Sequence, residues 1–497
     1  MAGRLQYKYL VAIVFIFGLF MDLMDTTIVN VAVPKLTEDF HTTTTAVEWT
    51  VTGYLLSLAV FIPAAGYLSD RFGTKRAFLT AMAIFITASA MCGLAQSLHQ
   101  LVFFRVLQGV GGGMMTPVGT AMLSREFPGA ERAKASAIMS VPVVFAPTLG
   151  PVIGGYLIEY ISWRWIFYIN LPIGITGFIF ALRVLREHKE PYAREGFDFV
   201  GLVLGGVGAA SLLYALSIAS HDGWTSQPVL TWGLIGLALI AAFVVVELRA
   251  HPPIIDLTLL KRPFFLLGNL MVLPAFGVFA GFLFMLTLFL QEFQGRSPLE
   301  AGLIQAPSSL GTAISLPLAS RLYPRLGPQR MLLIGFSLAA LTFTPFLRLH
   351  ADTGAPYIIM ALFFRGLPFA FAMVAAQTII FGPIENAKQG PASSLYNTLR
   401  QVSASFGVAL IATVLINRTQ AHEHAAMAHQ HLTGAIPPNI ARHAAELGYH
   451  DAFLVCIGFM ILPLLLSLFV NDRKTNDALA ARVRMGETTG GHAAAEA

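Results

Sequence analysis

The chain is 497 residues long, 56% apolar and only 12% charged, with a formal net charge of +5, whereas ordinary soluble domains carry about 25% charged residues. That composition cannot cover a soluble surface, so it excludes soluble enzymes and binding modules, and the small cationic excess needs no nucleic acid to explain it. Runs of about 20 apolar residues are long enough to cross a hydrocarbon core near 30 Å thick. Fourteen such runs are predicted, near 9–30, 48–69, 77–96, 100–123, 135–158, 164–182, 197–219, 228–247, 264–291, 300–320, 331–348, 356–381, 392–416 and 452–470. The expected fold is an all-α integral membrane protein.

The first run follows Arg4 and Lys8 as a signal peptide would, but no small-residue cleavage site follows and Asp22 and Asp25 interrupt its far half. With the N-terminus in the cytoplasm, 23 Lys and Arg fall in inside segments and 6 in outside segments, which satisfies the positive-inside rule. Both termini are therefore expected in the cytoplasm, in a multi-pass protein of the cell membrane. Cys92 and Cys456 both lie in apolar runs and offer neither a disulfide framework nor zinc spacing.

The string Gly66-YLSDRFGTK-Arg76 returns 254 positions later as Pro324-RLGPQ-Arg330. Arg71, Gly73 and Arg76 align with Arg325, Gly327 and Arg330, while Asp70 faces Pro324; further on, Phe104-Arg105 matches Phe364-Arg365. Repeats of this size built from apolar helices mark secondary transporters, whose substrate site lies between the repeats. The expected division is a six-helix bundle over 1–190, two additional helices over 191–262, and a second six-helix bundle over 263–497. The last carries an outer loop at 417–450 and a cytoplasmic tail at 471–497.

Asp22 and Asp25, three apart, share a helical face. An ionisable residue at bilayer depth costs at least about 2.5–3.5 kcal/mol and is a functional candidate by default. Arg105 lies at matching depth, about 8 Å from the same surface at 1.5 Å per residue. Movement between Asp25 and Arg105 would then load or release a proton; the alternative is a static pair that fixes helix register. Asn30, Gln108, Glu292, Arg365 and Arg400 are further candidates for substrate contact or coupling. Glu48 reads as the last member of a capping box, Thr45-Ala-Val-Glu48, at the outer start of the second helix.

Ala146, Gly150 and Gly154 repeat every four residues beside Pro147, Pro151 and Gly155, giving a bent face open to close approach by another helix. Gly109, Gly111, Gly112 and Gly113 form a second such face. Each fits either a rocking contact or static packing. Six histidines in the outer loop, from His422 to His450, read as solvated rather than metal-binding. No GxxxxGK[ST], HExxH or GxSxG string is present, so no catalytic residue, cofactor or metal is assigned, and energy is expected from an ion gradient.

At these residues the chain resembles the fourteen-span drug:proton antiporter branch of the major facilitator superfamily. Asp25-TTIVNVAV-Pro34, Gly66-YLSDRFGTK-Arg76, Arg105-VLQ-Gly109, Gly150-PVIGG-Tyr156, Trp163-RWIFYINLPI-Gly174 and Ala392-SSLYNTLR-Gln401 carry the likeness in order. The resemblance implies proton binding at Asp25, coupling through Arg105, and a cytoplasmic charge latch at Asp70 and Arg71 with Gly73 and Arg76. It also implies an antiporter motif at Pro147, Gly150, Pro151, Gly154 and Gly155. The function it implies is export of lipophilic, possibly cationic, compounds in exchange for protons by a monomer, with an accessory periplasmic partner possible. A dedicated exporter of one metabolite, lipid or antibiotic, and a transport-inactive sensor or scaffold, are the alternatives.

Overall fold

The computed structural model describes residues 7–127, 145–146, 149–188, 198–250, 253, 255–384, 388–429 and 436–472, and at 70, 124, 220–222, 389 and 390 the backbone alone. The first six-helix group comprises α1 (Tyr7–Asp39), α2 (Thr44–Phe72), α3 (Thr74–Leu94), α4 (Leu98–Glu126), α5 (149–160) and α6 (Asn170–Val184), the last preceded by a helical turn at Trp165–Tyr168. Two further helices follow, α7 (Phe199–Asp222) and α8 (Gln227–Arg249). In the second group, α9 (Pro263–Leu288) ends in a π-helical turn at Phe289–Phe293, and the run Pro298–Leu341 is broken at Gly327 (φ 76°, ψ 168°) into α10 before it and α11 after it. Helices α12 (Ala355–Phe381), α13 (Gln389–His429) and α14 (Pro438–Ser467) complete it.

Twelve helical stretches among the described residues are long and apolar enough to cross a membrane. One of them, Pro298–Arg348, is 51 residues long and contains the Gly327 break. Half of the fifth predicted span, 135–158, falls outside the described residues. Much of the predicted outer loop is helical: α13 continues into it to His429, and α14 starts within it at Pro438.

Local chemistry sets the helix starts. Ser97, Asp198 and Ser297 each accept a backbone N–H three residues on, and Ser297 with Glu300 closes a capping box. The capping box expected at Thr45 and Glu48 is not formed. Thr43 caps α2 instead, accepting from Ala46 N at 3.3 Å. With α2 beginning that early, Glu48 lies in its second turn and is 2% exposed.

Glycine lets backbones touch where the bundle is tightest. A Cβ at Gly109 would stand 2.7 Å from Tyr54 O and one at Gly113 2.8 Å from Leu58 O, both on α2; one at Gly111 would stand 2.6 Å from Ala81 O on α3. The face at 109–113 thus lets α4 wedge between α2 and α3 at backbone contact. In the second group Gly366 meets Ser308 O at 2.0 Å and Gly407 meets Gly277 O at 2.0 Å in the same sense. Outside both groups, α7 packs on α2 and α13, with Thr413 Oγ1 donating to Leu216 O at 3.2 Å and Trp49 against Tyr214. Helix α8 is largely exposed beyond α7.

Hydrogen bonds join the two six-helix groups toward the end predicted to face outside. Gln291 Nε2 donates to Val31 O at 2.9 Å, Ser405 Oγ to Thr52 O at 3.0 Å, and Leu299 N to Glu159 Oε2 at 3.2 Å. The groups are closed on each other there.

Candidate functional site

Asp25 is fully buried in the middle of the first group. Its Oδ2 accepts from Arg105 Nη1, and its Oδ1 accepts from Gln108 Nε2 at 2.8 Å and Asn170 Nδ2 at 2.9 Å. Arg105, 1% exposed, also donates from Nη1 to Gln108 Oε1 at 2.8 Å and from Nε to Thr50 O at 2.9 Å, and its guanidinium lies 4.0 Å from the Tyr54 ring centroid. Asn170 Nδ2 further donates to Ser89 Oγ at 3.1 Å, and Ser89 to Phe167 O at 2.9 Å. Residues from α4 and α6 therefore converge on the α1 carboxylate, and Thr50 of α2 and Ser89 of α3 hold those residues in place. A buried ion pair offsets its desolvation only when its remaining donors and acceptors are satisfied, and this network supplies them.

Asp22 sits one turn away in a different setting. Its Oδ1 accepts from Tyr54 Oη at 2.8 Å and its Oδ2 from Thr116 Oγ1 at 3.1 Å, and among the described residues no cation is hydrogen-bonded to it. Gly112 makes the room, since a Cβ there would stand 3.0 Å from Tyr54 Oη and 3.1 Å from Asp22 Oδ1. Asp25 is a charge-paired carboxylate; Asp22, also buried, is held by hydroxyls.

Comparison with known proteins places this arrangement. The sequence signature described as the Major Facilitator Superfamily matches residues 15–408. The chain belongs to that superfamily. It is 36% identical to the Multidrug resistance protein B homolog of Mycobacterium tuberculosis over 79% of this chain and 73% of that one. It is 31% identical to the Multidrug export protein EmrB of Escherichia coli over 84% and 81%. A bacterial homologue of the lysosomal transporter Spinster, solved in an inward-facing and unoccupied conformation, superposes with a TM-score of 0.63 at 15% identity, covering 97% of this chain and 99% of that one. This is a multi-pass membrane transporter of the superfamily, with helices and no strands among the described residues.

The remaining predicted site residues are distributed around that centre. Asn30, 5% exposed, donates to Thr26 O at 3.2 Å on its own helix. Glu292 lies in the π-helical turn at the outer end of α9, where Thr44 Oγ1 approaches it at 3.5 Å. Arg365 and Arg400 belong to the second group and do not join the Asp25 network. The Arg365 guanidinium is 3.9 Å from the Phe282 centroid and 5.0 Å from that of Phe343, beside a cavity of about 40 Å³ also lined by Ser308, Thr312 and Phe369. Arg400 lies 5.2 Å from the Phe276 centroid.

In the last turn of α2, the Asp70 side chain lies outside the described residues and Arg71 is exposed. Gly73 has φ 95°, a conformation that favours glycine, and a Cβ on it would stand 2.1 Å from Glu187 Oε1. Glu187, just past α6, accepts from Lys75 N at 3.1 Å and pairs with Arg76 at 3.7 Å. Thr74 N also donates to His188 O at 2.9 Å and Lys75 Nζ to Leu182 O at 2.8 Å, so Glu187 is one of several ties within the same group.

The glycines of α5 divide between two partners, and Pro147 lies outside the described residues. Gly150 and Gly154 face α1, where a Cβ would stand 2.2 Å from Thr27 Oγ1 and 2.7 Å from Ile28 Cγ1. Gly155 faces α10 of the other group, 2.4 Å from Pro298 O, and Gly302 of α10 returns the contact at 2.2 Å from Pro151 O. The α5–α10 part of the contact between groups is thus made by Gly155, Pro151 and Gly302. Gly302 and the network members Tyr54, Thr116, Ser89 and Asn170 were not singled out in sequence. Asn170 alone left a signal, an amide inside the apolar string Trp163-RWIFYINLPI-Gly174.

Proposed function

We propose that this transporter exports lipophilic compounds across the cytoplasmic membrane in exchange for protons, by alternating access between its two six-helix groups. The observation that carries the reading is the convergence of Arg105, Gln108 and Asn170 on Asp25, with Asp22 one turn away on hydroxyl donors alone. One carboxylate is held in a charge pair and the other by hydroxyl donors, which suits a proton that is taken up at Asp22 and felt at Asp25. A scaffold gains nothing from two acids at bilayer depth, each of which opposes insertion. The names of the relatives, a multidrug resistance protein and a multidrug export protein, support the substrate class. One proton moving down 100 mV supplies roughly 2.3 kcal/mol, about a fifty-fold gradient, so a single coupled proton sustains useful export.

The test is proton release from protein reconstituted in liposomes when lipophilic compounds are added, across a panel of cationic, neutral and anionic members. Release that follows compound affinity and vanishes in Asp25→Asn is the expected result. Transport that proceeds at equal rate with the proton gradient collapsed overturns the antiport reading.

A further inference from the structure

At the end of the second group predicted to face outside, three side chains come together that the export reading does not use. His350 follows α11, while Glu446 and His450, four residues apart on α14, share one helical face. One ligand atom from each lies within 4.8 Å of the others. We propose that His350, Glu446 and His450 form a binding site for a zinc ion. Two imidazoles and one carboxylate are a borderline donor set, matched to zinc rather than to magnesium or calcium, which prefer oxygen cages.

The orientation of His450 distinguishes this cluster from an ordinary imidazole–carboxylate pair. Its Nε2 lies 2.7 Å from Leu349 O, and a carbonyl only accepts, so Nε2 carries a proton and in the neutral ring Nδ1 keeps its lone pair. Metal-binding histidines are oriented in this way, with the second ring nitrogen donating to a carbonyl. The turn that supplies the carbonyl also supplies His350 and is itself fastened. His350 N donates to Thr353 Oγ1 at 2.8 Å, and His350 O accepts from Gln294 Nε2 at 3.1 Å.

His350 Nδ1 lies 2.8 Å from Glu446 Oε1. Tetrahedral zinc with bonds near 2.0–2.2 Å spaces its ligands at roughly 3.3–3.6 Å. Closing the cluster therefore takes a shift of about 1 Å, which His350, 61% exposed, is free to make. Metal would replace the His350–Glu446 contact and release the proton held there. Exposure of His350 leaves a fourth position open to water. Asp451, the next residue, is already engaged by Arg418 at 2.6 Å and His422 at 2.8 Å and is not counted as a ligand. Bound zinc would pin the turn at 349–353 to α14.

The test is zinc titration of full-length, chelator-treated protein in detergent by calorimetry, with magnesium and calcium as comparisons. One zinc ion per chain, bound at micromolar or lower concentration with proton release and a raised unfolding temperature, is expected, with no response to the other two ions. His350→Ala and His450→Ala should each weaken binding about 100-fold or more, and Glu446→Gln should weaken it too while keeping shape if an alanine variant does not fold. His424→Ala, outside the cluster, should bind as the parent does. Absence of zinc binding by the parent protein, or binding that survives Glu446→Gln and whichever histidine variants fold, overturns the proposal.

Discussion

The hydroxyl of Tyr54 donates to Asp22 Oδ1 at 2.8 Å while the face of the same ring lies 4.0 Å from the Arg105 guanidinium. The two acids of α1 are therefore not independent. Asp25 binds Arg105 directly, and Asp22 reaches the same guanidinium through one aromatic ring. On the antiport reading, a proton taken up at Asp22 weakens the acceptor that orients Tyr54, and the ring is what steadies Arg105 against Asp25.

Tyr54→Phe keeps the ring and deletes the link to Asp22. A hydrogen bond to a charged group contributes about 1.5–3 kcal/mol, so the pH dependence of transport should move while the folded protein persists. Tyr54→Ala, which also removes the face under Arg105, should be far more damaging. The decisive measurement is a double-mutant cycle with Asp22→Asn. Strongly non-additive effects are expected, and additive ones would mean that Tyr54 does not couple the two sites.

Asp25→Asn should abolish compound-driven proton release, and the structure adds a cost in stability. It strands Arg105 without a counter-charge, and breaking one partner of a buried pair costs about 3–5 kcal/mol. Combining it with Arg105→Gln should recover much of the unfolding temperature without recovering coupling. Proton release that persists in Asp25→Asn would remove this residue from the mechanism.

The sequence resolved the fold because composition, span length and the 254-residue repeat all read directly from residue type. The charged members of the centre were legible for the same reason, since an Asp or Arg inside an apolar run has few explanations. Tyr54, Thr116 and Ser89 were not, because a hydroxyl in an apolar helix is ordinary and only packing shows what it touches. Glu48 was misread because its capping pattern depended on where α2 begins, and Thr43, the residue that caps, moved that start. The α5 glycines were recognised as a close-approach face, but spacing could not tell that Gly154 meets α1 and Gly155 meets α10.

That division of α5 makes a differential prediction. A Cβ on Gly155 would stand 2.4 Å from Pro298 O, a backbone atom of the opposite group, whereas one on Gly154 chiefly meets the side chain of Ile28. Overpacking costs about 1–3 kcal/mol, equivalent to about a 5- to 150-fold change in a conformational equilibrium. Gly155→Leu and Gly302→Leu should both hold the outer ends of α5 and α10 apart, seen as longer distances between labels there. Gly154→Leu should disturb α1 packing with a smaller change in that distance. Equal responses from all three would deny Gly155 and Gly302 a special place in closure.

Glu159, one residue past the fifth predicted span, closes the same seam by accepting from Leu299 N at 3.2 Å. Hydrogen bonding from Ser297 holds its carboxyl below the usual carboxylate range, outweighing the slight opposing effect of burial. A depressed value means the contact contributes fully above the ordinary carboxylate pKa near 4.3 and is lost as pH falls through the lower folded value. Label distances across this seam should be constant from about pH 8 to 5 and lengthen only in stronger acid. Glu159→Gln should remove that acid response; a transition near neutral pH would have to arise from another group.

The two halves solve the turn after their second helix in the same way. Gly73 and Gly327 both adopt positive φ, and the N–H two residues later, of Lys75 and Gln329, donates to a carboxylate just past the sixth helix of its half. Glu187 serves at 3.1 Å and Asp472 at 2.8 Å, each satisfying an otherwise free N–H in the first turn of a helix. Pro324 stands where Asp70 does in the first half, yet this cap survives without it, so cap and latch are separable. Glu187→Gln and Asp472→Asn should each lower stability by about 1–3 kcal/mol while leaving the distance between the cytoplasmic ends of the two halves unchanged. Asp70→Asn should do the reverse, lengthening that distance at nearly constant stability if Asp70 is the latch. A conformational shift in Glu187→Gln equal to that in Asp70→Asn would show that cap and latch are one device.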